Sequence, residues 1–184
     1  GSIFIVATLH SMLAPIASMI KWLKPELKVN YLMTDGGALP IQFSNTVREL
    51  KEKKIIDNTI TIGHAFGGDI ECVNIYTGLI AARAILSSDV TIISMGPGIV
   101  GTGTKYGFSG IEQGYIIDAV NNLEGVPFIV PRISFKDNRA RHRGISHHTL
   151  TVLKNICNTS GKLVIPYLDE KKDNEINKQL IDNG

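Results

Sequence analysis

Cysteine is scarce, with two in 184 residues, Cys72 and Cys157. They stand far apart, fit no C-x-x-C pair and are too few for a disulfide framework, so disulfide-stapled folds are excluded. Both fall in stretches that read as helices. Two buried free thiols in a reducing, cytoplasmic setting are therefore expected. Long apolar runs are lacking too: none reaches the ~18 residues of a membrane span, and no signal peptide is recognisable. Nor is there an excess of charge. Nineteen Lys and Arg against seventeen Asp and Glu leave +2, which calls for neither nucleic acid nor a membrane surface. No repeat of fixed period is present. The length suits one domain with a sizeable core.

What the chain does have is glycine, concentrated in one place. Residues 95–110 read MGPGIVGTGTKYGFSG and hold Gly96, Gly98, Gly101, Gly103, Gly107 and Gly110. So much missing side chain marks a backbone that turns sharply or touches something.

Short apolar, β-branched runs at residues 3–8, 29–34, 59–62, 90–95, 126–130 and 163–165 read as strands. Between them lie helical patterns. One carries Met12, Ile16, Met19, Ile20 and Leu23, with Pro15 in its first turn, where a missing N–H costs little. A second covers residues 44–54 and is charged on its outer face. A third covers 70–86, with Asp69 as its N-cap and apolar residues on several sides. A fourth follows a capping box in which Ser109 is the cap and Glu112 reaches back. A fifth starts at Ser146. Strands alternating with helices predict an α/β fold: an open, mostly parallel, Rossmann-like sheet with helices on both faces, in three layers. The single domain is expected to span 3–166. Residues 167–184 form a polar tail, frayed or disordered, and Gly1-Ser2 reads as a cloning remnant.

The chemically capable residues fall where strands end. His10 follows the first strand, Asp35 the second, His64 and Asp69 the third, the glycine stretch the fourth, and His142, His147 and His148 the fifth. In an open parallel sheet those ends share one edge, where ligands bind at a switch point. A 3-2-1-4-5 order is preferred because it puts the glycines beside His10. A 2-1-3-4-5 order pairs His10 with His64 instead.

Familiar motifs fit poorly. Gly96 to Gly101 spells G-x-G-x-x-G, but the next helix begins only near Gly110, so NAD is disfavoured. The P-loop spacing places Lys105 one residue late, and Gly107-Phe-Ser-Gly110 is not a nucleophile elbow. Backbone anion binding remains, by Gly96, Gly98, Gly101 and Gly103, with hydroxyls from Thr102 and Thr104. Gly67 and Gly68 admit the same reading. The loop 132–144 carries Arg132, Lys136, Arg139, Arg141 and Arg143 against one acid, Asp137, and Arg suits bidentate capture of phosphate or carboxylate. Phe135 is its one aromatic, so a nucleic-acid surface is not favoured. A divalent metal on His64, Asp69, His147 or His148, His10 or Asp35 stays open, although no ligand spacing supports it. His147 and His148 are adjacent at a helix start, so their side chains are expected to diverge.

The strings MTDGGALPI, GHAFGGDIE, MGPGIVGTGT, GFSGIEQG, RHRGISHHTL and LHSMLAP resemble a bacterial family known only as a domain of unknown function. The resemblance spans residues 3–153. It implies longer members with sequence beyond both ends, of which this chain is the core, and it brings no activity with it.

The sequence therefore points to a cytoplasmic α/β domain that binds a small anionic ligand. His10, His64, Asp69, Asp35, His147 and His148 are the candidate catalytic groups, in hydrolysis or group transfer. The glycines and threonines above, with Arg141, His142, Arg143 and Ser146, are the candidate binding groups. The alternative is a non-catalytic ligand-sensing or oligomerisation module, with the apolar stretch 70–86 as a contact between copies.

Overall fold

The computed structural model describes residues 2–183; Gly1 of the expected remnant and Gly184 of the tail lie outside them. Strands β1 (Ile3–Ala7), β2 (Val29–Thr34), β3 (Asn58–Ile62), β4 (Ile70–Cys72), β5 (Val90–Met95), β6 (Val126–Val130) and β9 (Lys162–Leu163) form one sheet, parallel throughout. β7 (Ile133–Ser134) and β8 (Gly144–Ile145) make a separate antiparallel pair. β2 and β5 are buried along their whole length, which is why they read as unbroken apolar runs.

The helices divide between the faces. α1 (Leu13–Leu23) and α2 (Asn45–Glu52) bury Leu13, Ala17, Val47 and Leu50 against Val29, Tyr31 and Ile92. On the other face, α3 (Ile75–Ile80) and α4 (Glu112–Asn122) bury Leu79, Ile116, Ile117 and Val120 against Phe4, Val6, Leu32 and Ile93. α5 (His147–Thr151) continues as a wider π turn, Val152–Ile156, whose Leu153 joins this second core. The architecture is a three-layer, Rossmann-like α/β fold.

The strand order is β4-β3-β2-β5-β1-β6-β9. Neither expected order holds, because β5 inserts between β1 and β2. Ile92 pairs with Ile5 on one side and Tyr31 on the other. β1 and β2 lead into helices on one face, β5 and β6 into helices on the opposite face. The chain thus diverges between β2 and β5, between β5 and β1, and between β1 and β6. All three gaps open at the carboxyl edge, where ligands bind in such sheets.

Three local expectations are corrected. Residues 70–72 are strand, not helix, so Cys72 lies on β4; the helix starts after Asn74, which makes a capping box with Thr77. Asp69 caps nothing. Its carboxylate accepts from the Thr59 amide and hydroxyl and from Lys51. Parallel neighbours ordinarily need a dozen or more connecting residues. Here residues 63–69 suffice: Gly63 and Gly67 take positive φ, and a Cβ on Gly68 would meet Thr61 N at 2.9 Å. The Ser109–Glu112 capping box does not form either. Ser109 Oγ accepts from the Val100 amide, and Glu112 accepts from Thr34 Oγ1.

The polar tail holds α6 (Glu170–Asn183), with Ile176 fully buried. Gln179 of α6 accepts from the Ile145 amide and donates to Arg143 O, and Glu175 pairs with Arg143 at 2.9 Å. α6 therefore braces the β7–β8 pair. Ile176→Ala is expected to cost about 2–4 kcal/mol, read as a lowered urea midpoint with unchanged slope. A loss below ~0.5 kcal/mol would mean that α6 is not docked in solution.

Candidate functional site

The five histidines separate into three groups. His142, His147 and His148 sit together where β1 and β6 diverge, with ring centroids 4.1 to 5.3 Å apart. The adjacent pair does not splay as expected: the His147 and His148 rings are 4.1 Å apart, tilted by 48°. These three histidines, with Thr8, Leu9, Ile99, Gly101, Gly103, Arg132, Arg139 and Arg141, line a cavity of about 310 Å³. Arg132 leaves the end of β6, the short turn Ala140–His142 supplies Arg141 and His142, and the first residues of α5 supply His147 and His148.

The cavity is strongly cationic. Asp137 bonds Arg132 at 3.1 Å and Arg139 at 2.9 Å, and the side-chain and backbone hydrogen bonds from Arg139 hold its carboxyl well below the usual range. Arg141 has no carboxylate partner among the described residues. Burial first, and then the neighbouring cations, lowers all three imidazoles; His148 falls to about 4. At neutral pH the rings are uncharged. Each ring nitrogen of His142 is faced by a guanidinium: Arg132 Nη1 lies 3.3 Å from Nδ1, which is also 2.8 Å from Ser146 Oγ, and Arg141 Nε–H donates to Nε2 at 3.4 Å. A neutral imidazole has one acceptor nitrogen, so it can accept from only one of the two arginines. His147 Nε2 is buried with no partner among the described residues.

The glycine stretch is a small hairpin rather than a nest opening a helix. Thr102 N donates to Gly107 O at 2.7 Å, and Ser109 N to Val100 O at 2.8 Å, so Gly101 and Phe108 face one another across it. In such a pair the facing residues' own amides point away from the partner strand. Among the described residues, the Gly101 and Gly103 amides donate to no backbone carbonyl, and both residues line the cavity. Thr102 and Thr104 spend their hydroxyls on each other and on Gly107, closing the hairpin's own turn. Phe108 stacks on His148, with centroids 4.1 Å apart and planes 11° off parallel, and so ties the hairpin to the histidine cluster.

His10 is placed differently. Ser44 Oγ caps α2 by accepting from Val47 N, so its hydroxyl proton goes to His10 Nε2 at 2.7 Å. Nδ1–H then donates to Tyr31 Oη at 3.1 Å, and Tyr31 donates to Met95 O. Burial keeps His10 neutral and raises the Tyr31 hydroxyl far above its usual value. With both nitrogens engaged, His10 is a fixed wall rather than a proton donor. It borders a second cavity of about 310 Å³ with Ser11, Thr46 and residues 95–99.

His64 is apart from both, on the rim beyond β3, its Nδ1 3.0 Å from Asp35 Oδ2 and its side chain 87% exposed. Gly67 and Gly68 shape the β3–β4 return and, like Asp69, lie outside the cationic cavity. Arg143 also turns away, to Glu175 and Phe135. Ser146 is the N-cap of α5 and the partner of His142. Among the described residues, no group of three or more His, Cys, Asp or Glu side chains is arranged to hold a metal, and no helix is long and apolar enough to cross a membrane.

Arg132, Arg139 and Phe108 join the site without having been singled out; the two arginines were visible only as members of a basic loop. Glu112 is a further surprise. It sits with Asp35 at the gap between β2 and β5, bordering a cavity of about 240 Å³. Burial pushes its carboxyl up to about 7, helped by the nearby Asp35 charge and opposed by the Thr34 hydrogen bond.

A model of the family described as "Protein of unknown function (DUF3866)" matches residues 1–184. The chain belongs to that family. No curated protein and no solved structure matches it. The resemblance carried by the sequence strings is thus to the right family, and the chemistry has to be read from the geometry above.

Glu112 makes one consequence measurable. Its folded value lies above its ordinary 4.5, so its favourable contribution is complete below that pH and is lost as pH rises through about 7. Glu112→Gln removes the titration. The stability of the variant relative to the parent is expected to improve from pH 5 to pH 8, by at most ~3 kcal/mol. A difference that stays constant with pH contradicts the raised carboxyl.

Proposed function

We propose that the chain binds a small anion, bearing phosphate or carboxylate, in the cationic cavity between β1 and β6. Charge carries this reading: three guanidiniums and three neutral imidazoles line about 310 Å³, and the one carboxylate bonded to them, Asp137, stands behind Arg132 and Arg139 outside that lining. A neutral His142 accepts from only one of Arg132 and Arg141, and an anionic oxygen beside the ring accepts from the guanidinium left over. It also offers a partner to the buried His147 Nε2 and to the amides of Gly101 and Gly103. Arginine provides the forked, permanently charged donors that such an anion needs.

Proton coupling follows from the same electrostatics. The imidazoles are held neutral partly by the arginines, and a bound anion offsets that repulsion and raises their pKa values. Binding therefore takes up protons between pH 4 and 7. Sulfate keeps its charge over this range and is expected to bind more tightly at pH 5 than at pH 7, with proton uptake visible by calorimetry in buffers of different ionisation enthalpy. Arg141→Ala is expected to weaken binding about tenfold or more. Sulfate and inorganic phosphate that bind no better to the parent than to Arg141→Ala sink the proposal.

Hydrolysis or group transfer extends this reading, with His147 as the group that gives or takes the proton. His147→Asn would then keep anion binding and lose turnover in a phosphoesterase screen. One observation favours plain binding instead. Among the described residues the histidine–carboxylate pair is His64 with Asp35, outside the cavity, and no cavity histidine has there the carboxylate that orients a general base. Anion binding by the parent without turnover of any phosphoester assigns the domain to ligand sensing.

A further inference from the structure

Resting on the anion reading above, we propose that the ligand is a phosphomonoester of a small neutral alcohol. Its phosphoryl group lies in the arginine cavity, and its organic body crosses Leu9 and Ile99 into the chamber beside His10.

The two cavities are neighbours: Leu9 and Ile99 line both. Each measures about 310 Å³, at the bottom of the ~300–1,000 Å³ range of ligand pockets, so one alone suits a fragment and the two together a metabolite. Their chemistry is opposite. The first gathers Arg132, Arg139 and Arg141. The second has no acidic side chain, Lys or Arg in its lining: Leu9, Ser11, Thr46, Met95, Pro97 and Ile99 stand around the neutral His10 ring and the turn at Gly96 and Gly98. A charged group brought there would lose hydration with nothing to replace it, so the part of the ligand that enters is neutral. Ser11 and Thr46 bring hydroxyls that can donate and accept, which suits a hydroxyl-bearing body. The His10 wall is fixed by its bonds to Ser44 and Tyr31, so the chamber is shaped before the ligand arrives.

Charge selects the head group. With the histidines neutral, three guanidiniums less one carboxylate leave two positive charges. A phosphomonoester carries close to two negative charges at neutral pH, a carboxylate only one. The monoester rather than free phosphate follows from the second chamber, which inorganic phosphate cannot reach while seated on the arginines.

Calorimetry with methyl phosphate, ribose 5-phosphate, glucose 6-phosphate and adenosine 5′-monophosphate tests this, because methyl phosphate has the head group without a body. At least one larger monoester is expected to bind the parent chain about tenfold or more tightly than methyl phosphate. Ser11→Phe and Thr46→Phe, each filling the chamber, should bring that ratio close to one and leave methyl phosphate affinity within about twofold. Arg141→Ala should weaken all four alike. If every larger monoester binds the parent no better than methyl phosphate, the two-chamber ligand is overturned while the anion site stands. If methyl phosphate and the larger esters all fail to bind, both readings fall together.

Discussion

β5 is hydrogen-bonded on both sides, to β2 and to β1, and the arrangement of the carboxyl edge follows from that pairing. A strand from the middle of the chain separates two that come earlier. Its exit loop, on the way to α4, lies beside the end of β1. The long glycine hairpin is that loop. Crossing the edge at this point brings Ile99, Gly101 and Gly103 above the gap between β1 and β6, where Thr8 and Arg132 emerge. Had β1 and β2 been direct neighbours, as the sequence suggests, the hairpin would have faced a different gap and the arginines another partner.

The same insertion explains the buried polar chain from Ser44 through His10 and Tyr31 to Met95. Four segments meet there: the turn after β1, the start of α2, the middle of β2 and the end of β5. Each polar group has a partner, so the junction is directional where an apolar one would not be. It fixes how the end of β5 sits against the first helices and therefore where the hairpin begins. His10, a candidate catalytic group by its place after the first strand, is committed to the scaffold through both ring nitrogens.

Six of the seven strands of the large sheet and five of the helices were legible because their signals are local: short apolar runs, helical spacing, and a cap at Ser146. The residues 70–72 misled because Ile70 and Cys72 fit a helical pattern as well as a strand, and because a parallel return as short as residues 63–69 needs glycine conformations that letters alone do not report. Ser109 and Glu112 spelled a capping box, but tertiary partners, Val100 and Thr34, outcompeted the local ones. The basic loop and the histidine pair do come together in the structure. Which arginine turns inward was not readable, since Arg141 lies in the short turn Ala140–His142 and Arg143 just after it, and α6, distant in sequence, claims one of them.

The Phe108–His148 stack gives the hairpin a built-in reporter. An aromatic ring 4.1 Å from an imidazole and nearly parallel to it shields the imidazole protons by its ring current. If the hairpin swings away to admit a molecule, that shielding disappears. Because the two rings belong to separate segments, the proton resonances of a single side chain register the position of the whole loop.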